Sequence, residues 1–353
     1  MVERKSVEFA QNSFRRRTMG HVGRRKFLVA LGALLALPVD ANPKSATKVP
    51  RIGYLAPDRS AKGARFLEDF RAGLRELGHI EGQTVVIDVR WAEGNLERLA
   101  PLAADLVHRS KVDVMFIVGC GVAQKAVRAA SKTLPVVVGT CGDLPGFLGE
   151  AASFARPGGN TTGQSMFAPE LSAKRLALLK ELIPGLKTAA VLWNPADSDA
   201  GGWVPYWHEL RRAASILGIE LLSFEVRDPK ELGEVFRKIE LSQTAAVLTL
   251  TDPLIAIHSE RIVQFGLTHR LVAAYDWRFF ANQGGLLSYG ASLPEMFRGA
   301  AVYVDKILRG AKPADIPIGR ATKFEFVVNL KTAKAIGVSI PSSILLRADH
   351  VIE

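Results

Sequence analysis

The sequence predicts an α/β protein of two Rossmann-like lobes with parallel sheets, joined by a hinge of three crossings. Three observations carry that expectation. Short β-branched runs alternate with amphipathic helical stretches from residue 51 onward. The strands are apolar nearly end to end, as strands covered by helices on both faces must be. The strand starts also repeat, near 51, 84, 113 and 135 in one half and near 188, 219, 245 and 271 in the other, so that one unit is used twice.

The first strand is Arg51-Ile52-Gly53-Tyr54-Leu55. Phe66, Phe70, Leu74 and Leu77 then recur at spacings of four and three, an apolar helical stripe ended by Gly78. Strands at 84–89, 112–118 and 135–138 alternate with helices at about 95–107 and 122–132. The second half repeats the order, with strands at 189–193, 220–224, 245–250 and 271–274 and helices at 203–217, 229–241 and 254–269. The Gly-rich stretch 156–165 reads as the first crossing and Gly284–Gly290 as the second. A helix at 294–308, a strand at 324–328 and a short helix at 331–335 follow, which puts a third crossing near 316–322. The expected division is 49–160 with 290–318 as one lobe, and 163–286 with 322–353 as the other.

Composition narrows the function. With 353 residues, 48% hydrophobic and 23% charged, the chain can bury two cores and is not disordered. Two cysteines exclude a disulfide-stapled scaffold and a Cys-rich zinc module. The net charge of +11 is uneven. Residues 1–41 hold eight basic and three acidic residues, which leaves +6 spread over the remainder. That excess is too dilute for a nucleic-acid groove, so no nucleic-acid partner is expected.

Residues 1–41 read as an export signal. Arg24-Arg25-Lys26 precedes eleven apolar residues, Phe27 to Leu37, too few to span a bilayer. Pro38 then breaks the helix, and cleavage is expected near Ala41, which places the mature chain in the periplasm. Arg24-Arg25 fits a twin-arginine signal and also a plain secretory one, and Met19 could be the start. No cysteine follows before Cys120, which argues against a lipid anchor.

Catalytic signatures fail one by one. His208-Glu209 lacks the second zinc ligand, because position 212 is Arg. Gly119-Cys120-Gly121 opens a helix after a strand, but Gln124 stands where a dinucleotide fingerprint needs Gly. There is neither a nucleophile elbow nor a phosphate-binding loop. No catalytic residue, metal or cofactor is therefore expected. Cys120 and Cys141 follow strands expected to be neighbours; a disulfide and a pair of free thiols both fit.

The mature chain resembles the ABC-transporter substrate-binding proteins of the TrpX-like family, which have the type I periplasmic-binding fold. The likeness rests on Phe70-Arg71-Ala72-Gly73-Leu74, Arg90-Trp91-Ala92-Glu93-Gly94, Arg156-Pro157-Gly158-Gly159-Asn160 and Leu192-Trp193-Asn194-Pro195. It continues in Gly285-Leu286-Leu287-Ser288-Tyr289-Gly290 and Asn329-Leu330-Lys331-Thr332-Ala333. The chain departs from the family pattern at Cys120, Cys141 and Asp143-Leu144-Pro145. The resemblance implies capture of a small molecule, such as an amino acid or aromatic compound, and delivery to a membrane permease with its ATPase, by a monomer. An extracytoplasmic ligand sensor feeding a signalling partner is the alternative. A receptor would need a membrane span or a fused signalling domain, and a transcription regulator a DNA-binding start.

In such folds the ligand sits beyond the carboxyl ends of the strands. The candidate contacts are therefore Ser60, Gly119, Cys120, Gly121, Thr140 and Asp143 in the first half. Asn194, Asp252, Tyr275 and Asp276 are their counterparts in the second. Helix starts after Ser60 and Gly121 suit a carboxylate. The aspartates suit an ammonium group, and Tyr275 or Trp277 offers an aromatic wall. Trp193, Trp203, Trp207, Met166 and Phe167 are expected to be packing residues.

Overall fold

The computed structural model describes residues 48–149, 152–195 and 203–353. The export signal expected at 1–41 lies outside them.

The first sheet opens with β1 (Arg51–Ala56), α1 (Ala61–Glu76) and β2 (Val86–Trp91). It continues through α2 (Leu99–Ala104), β3 (Val114–Val118), α3 (Val122–Ala130), β4 (Val136–Cys141), α4 (Leu144–Leu148) and β5 (Thr161–Ser165). The chain then crosses to α5 (Ala168–Leu182), β6 (Thr188–Trp193), α6 (Val204–Leu217), β7 (Glu220–Glu225), α7 (Leu232–Leu241) and β8 (Ala246–Thr249). α8 (Pro253–Ile257), α9 (Ser259–Thr268), β9 (Val272–Tyr275), α10 (Arg278–Asn282) and β10 (Leu287–Ala291) complete that run. α11 (Leu293–Leu308) and β11 (Gly319–Arg320) return to the first sheet. β12 (Phe324–Asn329), α12 (Leu330–Ile336), α13 (Ser342–Leu345) and β13 (His350–Ile352) finish the second.

The strand order is β11-β5-β4-β3-β1-β2 in one sheet and β13-β12-β10-β9-β8-β6-β7 in the other. Counted from β1 and from β6, both contain the doubly wound order 2-1-3-4-5, so the repeat in strand spacing is a repeat in topology. The sheets are parallel apart from β10 and β12, which pair antiparallel. That exception follows from the last crossing, which brings the chain back into the second sheet from the other end.

Two crossings lie later than the sequence suggests. Thr161–Ser165, expected within the first crossing, is a buried strand of the first sheet, so the chain crosses at Met166-Phe167. Its polar side chains hid it. Thr162 Oγ1 donates to the Ile316 carbonyl at 2.8 Å and Gln164 Nε2 to that of Met296 at 2.5 Å. A polar strand whose side chains are satisfied internally leaves no apolar pattern to read. Leu287–Ala291, expected within the second crossing, pairs with β9 and β12 in the second sheet. Gly290 is there because a Cβ would stand 1.8 Å from the Asp276 carbonyl oxygen. The third crossing runs from β11 to β12. α5 has no counterpart in the expected elements, because buried residues lie on several of its faces and blur the helical period. The helix expected at 254–269 is broken at His258 into α8 and α9.

Val49–Glu353 is one compact unit. On the first sheet, Phe116 stacks 4.1 Å from Phe70 and 5.2 Å from Tyr54, all fully buried. α1 and α11 meet at Gly73, where a Cβ would stand 2.1 Å from the Arg298 carbonyl oxygen. On the second sheet, Trp193 packs edge-on to Trp203 and Trp207 at 5.5 and 5.2 Å, the packing role expected of them. Among the described residues, no helix is long and apolar enough to cross a membrane.

Candidate functional site

A cavity of about 110 Å³ opens where the carboxyl ends of the strands from both sheets face each other. It is somewhat smaller than the roughly 150 Å³ apolar cavity that takes up benzene, so a larger guest enters only when the two halves part. Its walls are mostly apolar. Trp91, at the end of β2, and Phe66, on α1, come from the first half, and Trp277 and Phe279, after β9, from the second. Phe297 on α11 and Met166 at the first crossing close the inner side. Met166 is therefore a wall residue as well as a core one.

Five of the ten expected contacts line this cavity: Ser60, Gly119, Cys120, Thr140 and Asp252. Ser60 caps α1, its Oγ accepting from Gly63 N at 3.4 Å. Asp252 is 6% exposed and caps α8, Oδ1 accepting from Leu254 N at 2.7 Å and Ile255 N at 3.4 Å. Asp252 thus satisfies backbone donors and faces the cavity at once, and α8 is seated across it. The site that would have been made by the α8 start is taken by the protein's own carboxylate.

Gly119 and Gly121 flank Cys120 with φ of 84° and 61°. Both lie in the left-handed region open to glycine, so the loop turns sharply from β3 into α3. Cys120 is bonded to Cys141 at the end of β4, with the two Cα atoms 5.3 Å apart. Both cysteines line the cavity. The bridge therefore ties the two strand-end loops of the first half together and gives the wall a sulfur face. Denatured, unreduced protein is expected to release no free thiol in a titration with an aromatic disulfide reagent; two thiols per chain would contradict the bridge.

The other five contacts lie outside the wall. Gly121 sits behind the loop as the first residue before α3. Asn194 is buried and donates Nδ2 to Asp252 Oδ1 at 3.3 Å, so it supports the aspartate. Asp143 is half-buried at the start of α4, and burial pushes its carboxyl above the usual range. Tyr275 is not an aromatic wall; it is 2% exposed in the core, stacked on Phe280 at 4.8 Å. The end of the strand explains this: Tyr275 is the last residue of β9 and packs into the helical layer, while Trp277, past the strand and just before α10, is free of its alternation and reaches the cavity.

Asp276 is 1% exposed behind that wall, and neither carboxylate oxygen makes a well-formed hydrogen bond among the described residues. Burial raises its pKa to about 6, and the Arg175 guanidinium, with weaker help from the Thr251 hydroxyl, holds it from going higher. Arg175 is itself fully buried on α5. It donates to the Tyr289 carbonyl at 3.0 Å and to Ser172 Oγ at 2.9 Å. Tyr206 approaches the same region from α6; a Cβ on Gly142 would stand 1.5 Å from its hydroxyl. A buried polar layer thus lies beneath the aromatic cavity.

Lys62, on α1, and Phe279 were not among the expected contacts. Nothing in a lone lysine inside the first turn of a helix sets it apart from a solvated one. Trp91 was legible only through the Arg90-Trp91-Ala92 stretch.

A profile of the family described as ABC transporter substrate binding protein matches residues 64–352. The chain belongs to that family. Among curated relatives it is 22% identical over 280 residues to a "Tyrosine-binding protein" of Clostridioides difficile (strain R20291), covering 79% of this chain and 76% of that one. Among solved structures, a domain from Streptococcus pneumonia in complex with L-Trp is 26% identical, with a TM-score of 0.77 over 86% of this chain and 99% of that one. A conserved domain protein from Vibrio cholerae superposes with a TM-score of 0.78 at 23% identity, over 86% of this chain and all of that one. The two-sheet architecture is that of type I periplasmic binding proteins. Members of the family are solute-binding proteins.

Proposed function

We propose that this chain is the extracytoplasmic capture component of an ABC importer and that its solute is a small aromatic amino acid. The observation that carries this reading is the cavity between the two sheets, with Trp91, Phe66, Trp277 and Phe279 on its walls and Asp252 at its edge. Aromatic walls favour a flat ring, through burial and edge or stacked contacts. Asp252, on that wall, offers a partner for the ammonium group. The relatives named for tyrosine and solved with L-Trp agree with that choice.

Capture is without chemistry on this reading. The solute bridges two half-sites, and closure favours the bound state by contacts that only the closed form makes. The closed monomer then docks on a membrane permease driven by its ATPase, after export to the periplasm and cleavage near Ala41. The test is a thermal-shift screen followed by titration calorimetry with L-tryptophan, L-tyrosine, L-phenylalanine and L-leucine. An aromatic amino acid at a hundred times its Kd should stabilise the protein by about 2.7 kcal/mol. No shift with any aromatic amino acid, or turnover of one, would defeat the reading.

A further inference from the structure

We propose that Lys62 is the clasp that holds the cleft shut, so that the lifetime of the captured solute is set by this one cation. The inference rests on the capture reading above for its solute and on geometry for its mechanism. Lys62 belongs to the first half, on the opening turn of α1, and it lines the cavity. All its named hydrogen-bond partners belong to the second half. Nζ donates to the Ala256 carbonyl at 2.9 Å and to Ser259 Oγ at 3.0 Å, across 194 and 197 residues of sequence. The same ammonium lies 4.5 Å from the centroid of the Phe279 ring, itself a cavity wall.

Each partner is placed to receive it. Ser259 is fully buried at the start of α9, and the Ala256 carbonyl is on α8. Two close approaches also place the same short helix beside the first half. A Cβ on Gly119 would lie 3.4 Å from the Pro253 ring, and one on Gly94 would lie 3.7 Å from Ile257. Apolar approaches of that kind tolerate sliding, whereas two hydrogen bonds and a ring fix one position. Lys62 is half-buried, and burial lowers its pKa, with Asp58 and Glu260 opposing that shift. A charged ammonium held out of water is stable there only while its second-half partners are in place. Opening the cleft removes them all together, which gives a two-state clasp rather than a gradual one.

The clasp is tested on the full mature chain with Lys62→Met, which keeps the stem and loses the cation, and Lys62→Arg, which keeps a cation. Hydrogen exchange of the ligand-free protein is expected to rise at least threefold across 253–268 in Lys62→Met and less in Lys62→Arg, with β3 and β6 unchanged. Stopped-flow dissociation of whichever of L-tyrosine and L-tryptophan the wild-type chain holds should be at least fivefold faster in Lys62→Met. Unchanged exchange across 253–268 overturns the clasp, and so does a rise spread evenly over the strands, which is general loosening. If the wild-type chain holds neither amino acid, the solute assignment fails by itself while the exchange result still decides the clasp.

Discussion

Asp252→Ala is expected to weaken binding of L-tryptophan or L-tyrosine at least tenfold, whichever the chain takes, and to lower the melting temperature by a few degrees. Two losses combine. The side chain caps α8 through Leu254 N and Ile255 N, and removing such a cap costs about 1 kcal/mol. The capped helix carries the Ala256 carbonyl that receives Lys62 and the Pro253 ring that meets Gly119, so its seat on the first half loosens with it. The carboxylate itself also lines the cavity, and Asn194 steadies it. Asp252→Asn separates these effects. Asparagine caps as well as aspartate, so the fold and the α8 seat should survive, and only the charge is lost. A tenfold loss is about 1.4 kcal/mol, within the range of one charged hydrogen bond. Calorimetric titration of both variants decides the matter: wild-type affinity in Asp252→Asn would remove the carboxylate from the site, and wild-type affinity in both would remove the residue altogether.

Asp143→Ala separates the wall from what surrounds it. On sequence grounds Asp143 and Asp252 are equivalent, since both follow strand ends. The structure separates them, because Asp143 turns toward the Gly146 backbone of its own helix, where a Cβ on Gly146 would lie 2.5 Å from Oδ2. The expected loss of affinity in Asp143→Ala is accordingly small.

The two-sheet fold was legible because its inner strands are buried on both faces and its unit occurs twice. Those properties are local and periodic, and a sequence displays them directly. β5 escaped because its Thr and Gln side chains are satisfied by Ile316 and Met296, more than 100 residues away. α5 escaped for the opposite reason, with Leu176, Leu179 and even Arg175 buried around it. The site followed the same division. Strand-end loops were identifiable from strand ends, which is why Ser60, Gly119, Cys120, Thr140 and Asp252 lie on the wall. Which side chain turns inward depends on where the strand stops, because alternation ends there: Tyr275, the last residue of β9, went to the core, and Trp277, at the start of α10, to the cavity. Lys62 and Phe279 act across the cleft, and a pairing between halves has no signature in either half alone.

Arg175→Met should cost about 3–5 kcal/mol of stability at pH 8 and distinctly less at pH 5. The difference comes from Asp276, whose pKa stands at about 6 in the folded protein against 3.8 ordinarily. Because the native state holds that proton more tightly than the unfolded chain, the contribution of this group to stability falls as pH rises from about 4 to about 6 and is level above. The shift corresponds to roughly 3 kcal/mol. Burial is its first cause, and Arg175 offsets part of it. Without the guanidinium, the Asp276 pKa rises further, so the window of falling stability extends above about pH 6. At pH 5 the carboxyl is already protonated, and the variant loses only the bonds to the Tyr289 carbonyl and Ser172 Oγ. Urea unfolding of the variant at the two pH values measures the difference. Asp276→Asn in the same background should flatten it and recover much of the loss at pH 8, since no buried charge then lacks a partner. An equal loss at pH 5 and pH 8 would mean that Arg175 acts through its hydrogen bonds alone and that Asp276 does not titrate against it.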